Sequence, residues 1–182
     1  MNDPKVIYAR ETIQHRLEGL SATISEALNN CSGGVTYVVV LKGGFRFGAD
    51  LIDVITVDCR RIRLEFMRVE AYAAAGKILN RLRLHTLADA PDAFSGRHVV
   101  IIDDIFDTGT TMQSLRRYIG KFNPATIREA VLLWRKHPST YTVEPPTWHG
   151  FTLEHGTWVY GYGMDETHED KRTLSCIAGK RP

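Results

Sequence analysis

Asp103 and Asp104, followed after two residues by Asp107-Thr108-Gly109-Thr110-Thr111, are the densest concentration of chemically useful side chains in the sequence. Two adjacent acids suit sugar hydroxyls or a hard cation such as Mg²⁺. A Thr/Gly turn that opens a helix presents unpaired backbone N–H groups and the positive end of the helix dipole to one point, which favours an anion. Gly109 permits close backbone approach there, and Thr108, Thr110 and Thr111 add hydroxyl donors, so a phosphate monoester suits the turn. Asp107 taken alone reads equally well as a helix cap. No Gly-Lys-Ser/Thr follows, so this is not a Walker A loop, and no GxGxxG turn is present.

A second turn of the same kind occurs at Leu41-Lys42-Gly43-Gly44. Two glycines alone describe a sharp bend. Lys42 adds a charge where backbone donors also converge, which makes a second anion site. Near the C-terminus, residues 156–165 read as an aromatic strand with glycines, ending in the carboxylate of Asp165; Tyr160 and Tyr162 read as core. The seven histidines, among them His149, His155 and His168, show no metal-ligand spacing and read as structural or solvent-facing.

The elements that must position these residues follow from hydrophobic period. Val99, Val100, Ile101 and Ile102 are apolar without alternation, which predicts a strand covered on both faces, as in a parallel sheet sandwiched by helices. Met112, Leu115, Ile119 and Phe122 then mark a helical stripe ended by Gly120 and Pro124. Residues 10–29 carry a helical stripe of Ile13, Leu17, Leu20, Ile24 and Leu28, and residues 35–41 form a second uninterrupted strand leading into a helix through Phe45, Ala49, Leu51, Ile52 and Ile55. Residues 61–70 alternate and predict a strand with one exposed face; 78–85 predict another. The small residues between them, 71–77, make a hairpin tip that is a candidate mobile lid. Residues 86–97 read as a connector, 126–135 as a further strand, and the Pro- and Thr-rich stretch 137–150 as an irregular excursion.

The length of 182 residues fits a single domain with a substantial core. A net charge of +2, with scattered rather than blocked basic residues, gives no argument for nucleic-acid or membrane binding. Three cysteines, Cys31, Cys59 and Cys176, without C-x-x-C spacing point away from a disulfide framework and toward a reducing cytoplasm, as does the absence of a signal pattern at the N-terminus.

Four aliphatics, Asp-Asp, and a following Asp-Thr-Gly resemble the phosphoribosyl-pyrophosphate signature of type I phosphoribosyltransferases. Together with Leu41-Lys42-Gly43-Gly44, a basic residue at 135 and Trp158-Val159 to Asp165, the order and spacing resemble the hypoxanthine-guanine phosphoribosyltransferases over roughly residues 35–178. The resemblance implies an α/β fold with a central, mostly parallel sheet flanked by helices, a core over roughly 35–136, a small hood from the N- and C-terminal segments, and a flexible β-hairpin loop. It implies transfer of a 5-phosphoribosyl group to a 6-oxopurine, with Mg²⁺ as cofactor, in a cytoplasmic homodimer or homotetramer. Asp103 and Asp104 would hold the ribose hydroxyls, in part through Mg²⁺, and Asp107 would be the general acid/base at the purine. Thr108, Gly109, Thr110 and Thr111 would cradle the 5′-phosphate, and Leu41, Lys42 and Gly43 would meet pyrophosphate across a cis Leu41–Lys42 peptide. Trp158 would stack on the base, the Val159 backbone would read its edge, Asp165 would bind a second Mg²⁺ and Tyr72 would belong to the closing loop.

Four positions depart from the family pattern. Asp103 replaces a commoner glutamate, Arg135 stands where a lysine usually meets the 6-oxo group, and Ala71 lacks the loop hydroxyl. Arg172 matches the pyrophosphate-contacting arginine only with one inserted residue after Asp165, which leaves Lys171 as its competitor. Arg135 keeps open the same reaction on another base, xanthine or a pyrimidine; a noncatalytic sensor of phosphoribosyl pyrophosphate is a separate alternative, ranked below the enzyme because Lys42, Tyr72 and Asp107 are all present.

Overall fold

The computed structural model describes residues 5–58, 61–74, 77–86, 92–136, 144–165 and 171–180, without the side chains of 70–83, 86 and 180. In chain order the elements are β1 (Lys5–Tyr8), α1 (Arg10–Asn29), β2 (Val35–Leu41), α2 (Phe45–Val54), β3 (Ile62–Ala74), β4 (Lys77–Thr86), β5 (His98–Phe106), α3 (Thr110–Ile119), β6 (Thr126–Arg135), β7 (Trp148–Leu153), β8 (Trp158–Tyr160) and β9 (Ile177–Lys180).

Six strands form the main sheet in the order β4-β3-β2-β5-β6-β7. All neighbours are parallel except the β3–β4 hairpin. The unbroken apolar runs of β2 and β5 are explained by cover on both sides. Tyr37, Val39, Val100 and Ile102 join the core formed with the stripe of α1 and with Phe47 and Leu51 of α2. Val38, Val40, Val99 and Ile101 join the opposite core with Met112, Leu115 and Ile119 of α3. A fully buried Glu129 on β6 receives the Arg116 guanidinium of α3, with Nη2 2.6 Å from Oε2, and the Thr147 hydroxyl at 3.2 Å. That charge-assisted pair seats α3 on the sheet.

A separate three-stranded antiparallel sheet, β1-β9-β8, joins the two ends of the described chain and forms the hood. Tyr8 of β1 stacks on Phe151 of β7 with ring centroids 4.0 Å apart, which ties the hood to the main sheet. No described helix is long and apolar enough to cross a membrane. Cys31 and Cys176 carry free thiols, and Cys59 lies outside the described residues.

Three expectations about the elements need correction. The stretch 137–150 is not irregular throughout: Trp148 begins β7, the edge strand beside β6, while 137–143 lie outside the described residues. Its place is set from a distance, by Arg16 of α1 donating to the carbonyls of Gly150 at 2.5 Å and His149 at 3.1 Å. The aromatic strand expected over 156–165 is only three residues of β8, because the chain turns left-handed immediately after Tyr160. Strands β3 and β4 extend through Ala74 and from Lys77, so most of the expected tip is laddered backbone, with a register shift between Ala71 and Ala73. Ladder hydrogen bonds form from main chain and override the weak strand preference of alanine. Residues 75 and 76 lie outside the described residues, as does the side chain of Tyr72.

Phe47 is fully buried and anchors α2, and with it the turn at 42–44, to the sheet. Phe47→Ala is expected to destabilise the protein by about 3–5 kcal/mol, measured as a shift of the urea unfolding midpoint at unchanged slope.

Candidate active site

The parallel strands β2, β5 and β6 end side by side at Leu41, Phe106 and Arg135, the edge where open α/β sheets hold ligands. Every site residue expected from the sequence whose side chain is described lies at or near this edge. The Leu41–Lys42 peptide is cis. A side chain on Gly43 would collide with the Asp104 carboxylate, and one on Gly163 would collide with the Gly43 carbonyl. The two turns thus touch main chain to main chain at Gly163, and at Gly43 the space a Cβ would need is taken by the Asp104 carboxylate.

Three adjoining hollows follow from that meeting. The middle one, about 220 Å³, is lined by Asp104, Ile105, Asp107, Arg135, Trp158, Val159, Met164 and Asp165. A second of about 210 Å³ shares Asp107, Arg135 and Trp158 and adds Thr108, His155, Gly156 and Thr157. A third of about 400 Å³ holds Leu41, Lys42, Phe45, Arg46, Gly163, Arg172 and Thr173. Arg172 joins the third to the middle, since its Nη2 donates to Asp165 Oδ2 at 2.7 Å and its Nη1 to the Gly163 carbonyl at 2.7 Å. Lys42 and Thr108 thus line the outer two of three neighbouring hollows.

At the Thr108 end, Gly109 adopts φ 75° and immediately precedes α3, whose first turn carries no acidic side chain. The N–H groups of that turn have no helical partners, and the dipole adds positive potential. Thr108 and Thr110 hydroxyls lie 2.9 Å apart. Asp107 does not cap the helix. Its Oδ2 instead accepts a 2.7 Å hydrogen bond from Arg135 Nη1.

Arg135 is held from two sides, because its Nη2 also donates to the Thr157 carbonyl at 2.9 Å, while its buried Nε has no partner among the described residues. Lys136 points elsewhere, with its ammonium 5.0 Å from the Trp134 ring centroid. Lys171 lies over Tyr160, 4.9 Å from its ring centroid, so of the two candidates it is Arg172 that faces Lys42. Trp158 exposes 48% of its surface, a large aromatic left open beside a hollow, while Val159 beneath it is buried. An exposed ring of this kind is a stacking platform for a flat ligand.

The acid pair is asymmetric. Asp103 is buried and its Oδ1 accepts the Asp104 N–H at 2.9 Å; Asp104 is half-buried, lines the middle hollow, and its Oδ1 accepts the Ile105 N–H at 2.9 Å. Burial, and then the Asp104 charge, push Asp103 well above the usual carboxylate range. Burial also raises Asp104, against hydrogen bonds from Asp103 and the Ile105 N–H and the charge of Arg172. Of the two, Asp103 is the more strongly raised. Asp104 and Asp165 offer oxygen donors to one hollow. A few carboxylates beside a phosphate site match how Mg²⁺ binds, with substrate oxygens and water completing its shell. Among the described residues no group of three or more His, Cys, Asp or Glu forms a self-sufficient metal site.

His155, Ile105, Met164 and Thr157 line the cleft although the sequence marked none of them; for His155 the expectation of a solvent-facing side chain holds, but it faces solvent at the cleft mouth. His149 packs edge-on against Trp134, with centroids 5.0 Å apart, and His168 lies outside the described residues.

A parallel sheet that gathers two anion-binding turns, paired acids and an open indole at its C-terminal edge is the type I phosphoribosyltransferase fold. The phosphoribosyl transferase domain model matches residues 7–167, and the chain belongs to that family. It is 30% identical over 161 residues to the hypoxanthine-guanine phosphoribosyltransferase of Dictyostelium discoideum, covering 88% of this chain and 87% of that protein. It is 34% identical over 147 residues to the protein of the same name from Crithidia fasciculata, covering 78% of this chain and 66% of that one. The solved hypoxanthine phosphoribosyltransferase of Trypanosoma cruzi, in complex with the product IMP, matches with a TM-score of 0.82 at 26% identity, covering 100% of this chain and 97% of that one.

The Asp103 carboxyl sets a pH dependence of stability. A group that binds its proton more tightly when folded loses stability as pH rises from the ordinary carboxylate value toward the folded one. Asp103→Asn keeps an acceptor for the Asp104 N–H and removes the ionisation. At about pH 8 the variant is expected to melt higher than the parent, by roughly 2–4 °C for each kcal/mol recovered, and the gap is expected to close toward about pH 4. Scanning calorimetry across that range checks it; a variant that melts lower at the alkaline end contradicts it.

Proposed function

We propose that this chain transfers the 5-phosphoribosyl group of phosphoribosyl pyrophosphate to N9 of a 6-oxopurine, hypoxanthine or guanine, giving IMP or GMP and pyrophosphate in purine salvage. The observation that carries the reading is the row of neighbouring hollows at the sheet edge, with Lys42 lining one, Thr108 another, and Asp104, Asp107 and Trp158 lining the one between. A sugar phosphorylated at both termini needs two anion sites one sugar apart, and a base needs a flat apolar face between them.

In this reading Thr108, Gly109, Thr110 and Thr111 hold the 5′-phosphate by backbone and hydroxyl donors. Asp103 and Asp104 take the ribose hydroxyls. Leu41, Lys42, Gly43 and Arg172 take the pyrophosphate. Trp158 stacks on the purine, the Val159 backbone reads its edge, and Asp107 moves the proton at N7. Tyr72 closes over the sugar from the β3–β4 hairpin. Asp104 and Asp165, with Asp103, are the ligands for Mg²⁺, which when bound neutralises charge on the departing pyrophosphate. As that bond breaks the sugar gains oxocarbenium character, which nearby carboxylates stabilise. Excluding water keeps the activated sugar from hydrolysis. The same analogy makes the protein a cytoplasmic homodimer or homotetramer of one domain.

Arg135 supports a second reading at the level of the base. Its guanidinium is committed to Asp107 and the Thr157 carbonyl, and so is not a free counterpart of a lysine ammonium aimed at a 6-oxo group. The transferase chemistry is unchanged in that reading; the preferred base is xanthine or a pyrimidine.

Incubating the protein with phosphoribosyl pyrophosphate, Mg²⁺ and, separately, hypoxanthine, guanine, xanthine, adenine and uracil, and following nucleotide formation, tests both. Product with hypoxanthine or guanine is expected; product from none of the five points to a sensor and overturns the enzyme. Asp107→Asn is expected to lower kcat by about 10²-fold or more at an unchanged melting temperature, and unaltered turnover removes Asp107 from the proton transfer.

A further inference from the structure

Tyr162 is buried to 1% exposure and adopts φ 50°, between Gly161 at 88° and Gly163 at 99°. A bulky residue in the left-handed region is an outlier that persists only where its surroundings over-determine it, at a cost of about 1–3 kcal/mol. Those surroundings are specific. The Tyr162 hydroxyl donates to Asp50 Oδ2 at 2.5 Å, and the Arg46 guanidinium lies 5.2 Å from the ring centroid. Arg46 Nε is also 3.5 Å from the same Asp50 oxygen. Burial, and then Asp50 itself, push the phenol's ionisation far above its ordinary value, so it remains a donor at every working pH.

The two partners belong to different parts of the cleft. Asp50 and Arg46 ride on α2, which begins directly after the 41–44 turn. Tyr162 sits in the turn that runs from Val159 to Asp165, and its neighbour Gly163 rests on the Gly43 carbonyl. The Tyr162 N–H donates to the Leu174 carbonyl at 3.0 Å and the Gly163 N–H to the Arg172 carbonyl at 3.0 Å, so the segment bearing Arg172 is bound to the same turn. Backbone contact at Gly43 sets how close the two turns come. It does not set their rotation about that contact; a side-chain bond at a distance from it does.

We infer that Asp50 and Tyr162 are positioning residues for phosphoribosyl transfer, their hydrogen bond locking the turn that carries Asp165, and the Arg172 segment bonded to it, onto α2 at the register Lys42 requires. The inference rests on the transferase reading. It assigns the bond to the pyrophosphate end: loosening it separates Lys42 from Arg172 and leaves the Thr108 end and Trp158 in place.

The test uses Tyr162→Phe, Asp50→Ala and Asp50→Asn, the last retaining an amide oxygen that accepts the phenol proton. Tyr162→Phe and Asp50→Ala are expected to raise KM for phosphoribosyl pyrophosphate about tenfold, the loss of one charge-assisted hydrogen bond. KM for the base should stay within about twofold, and Asp50→Asn should restore most of the loss. Parental KM for phosphoribosyl pyrophosphate in Tyr162→Phe, whatever its melting temperature, overturns the inference, as does an Asp50→Asn variant as impaired as Asp50→Ala. If the parent protein forms no nucleotide, the transferase reading fails by itself. The affinity for magnesium pyrophosphate, titrated calorimetrically, then decides the positioning role: weakened binding in Tyr162→Phe supports it and equal binding overturns it.

Discussion

Main-chain contact closer than any side chain would allow is the constraint on which this site depends. The 41–44 turn, the 161–165 turn and the end of β5 converge so tightly that a Cβ on Gly44 would meet the Val40 carbonyl and the Asp103 backbone, and one on Gly163 the Gly43 carbonyl. Glycine carries the entropic cost of its freedom in the unfolded chain, and here that cost is repaid in proximity. One turn brings a lysine, one brings a carboxylate with an arginine on the segment bonded to it, and the strand end brings a pair of acids. No flexible side chain has to span the gaps between them.

The sheet provides the rigid floor for that convergence. Its central strands are covered on both faces, so their ends are held by two cores rather than one. Such rigidity makes an unfavourable arrangement tolerable. Asp103 is buried beside Asp104, and both carboxyls resist ionisation. In a protein selected for stability alone, adjacent buried acids would be replaced. Asp104 lines a hollow together with Asp165, where a cation or sugar hydroxyls would offset the charge that the fold penalises.

Arg135 shows how one substitution changes a site without changing its plan. A lysine presents a compact charge on a flexible stem, whereas a guanidinium engages two partners at fixed angles. Here those partners are Asp107 and the Thr157 carbonyl, so the arginine braces the carboxylate between β5 and the segment leading into β8. Asp107 and the segment that carries Trp158 are thereby tied together.

Much of this was legible in the sequence. Unbroken aliphatic runs at 35–41 and 99–102 announce doubly covered strands, and Lys-Gly-Gly and Asp-Thr-Gly announce turns between a strand and a helix, because these features arise from local pattern and turn chemistry. Tyr160 and Tyr162 were correctly placed in the core by their apolar surroundings. The tertiary structure alone decided what depends on residues far apart in the chain. Trp148 pairs with Ala130 and is steered by Arg16, so β7 could not be seen in its own six residues. The shortness of β8 depends on the left-handed turn that follows it, and the closeness of that turn to Gly43 spans 120 positions. His155, Met164 and Thr157 acquire a cleft to line only once β5, β6 and the hood meet. Local sequence determines which conformations each segment favours. Which side chains face one another is decided by how segments pack, and that information is distributed over the whole chain.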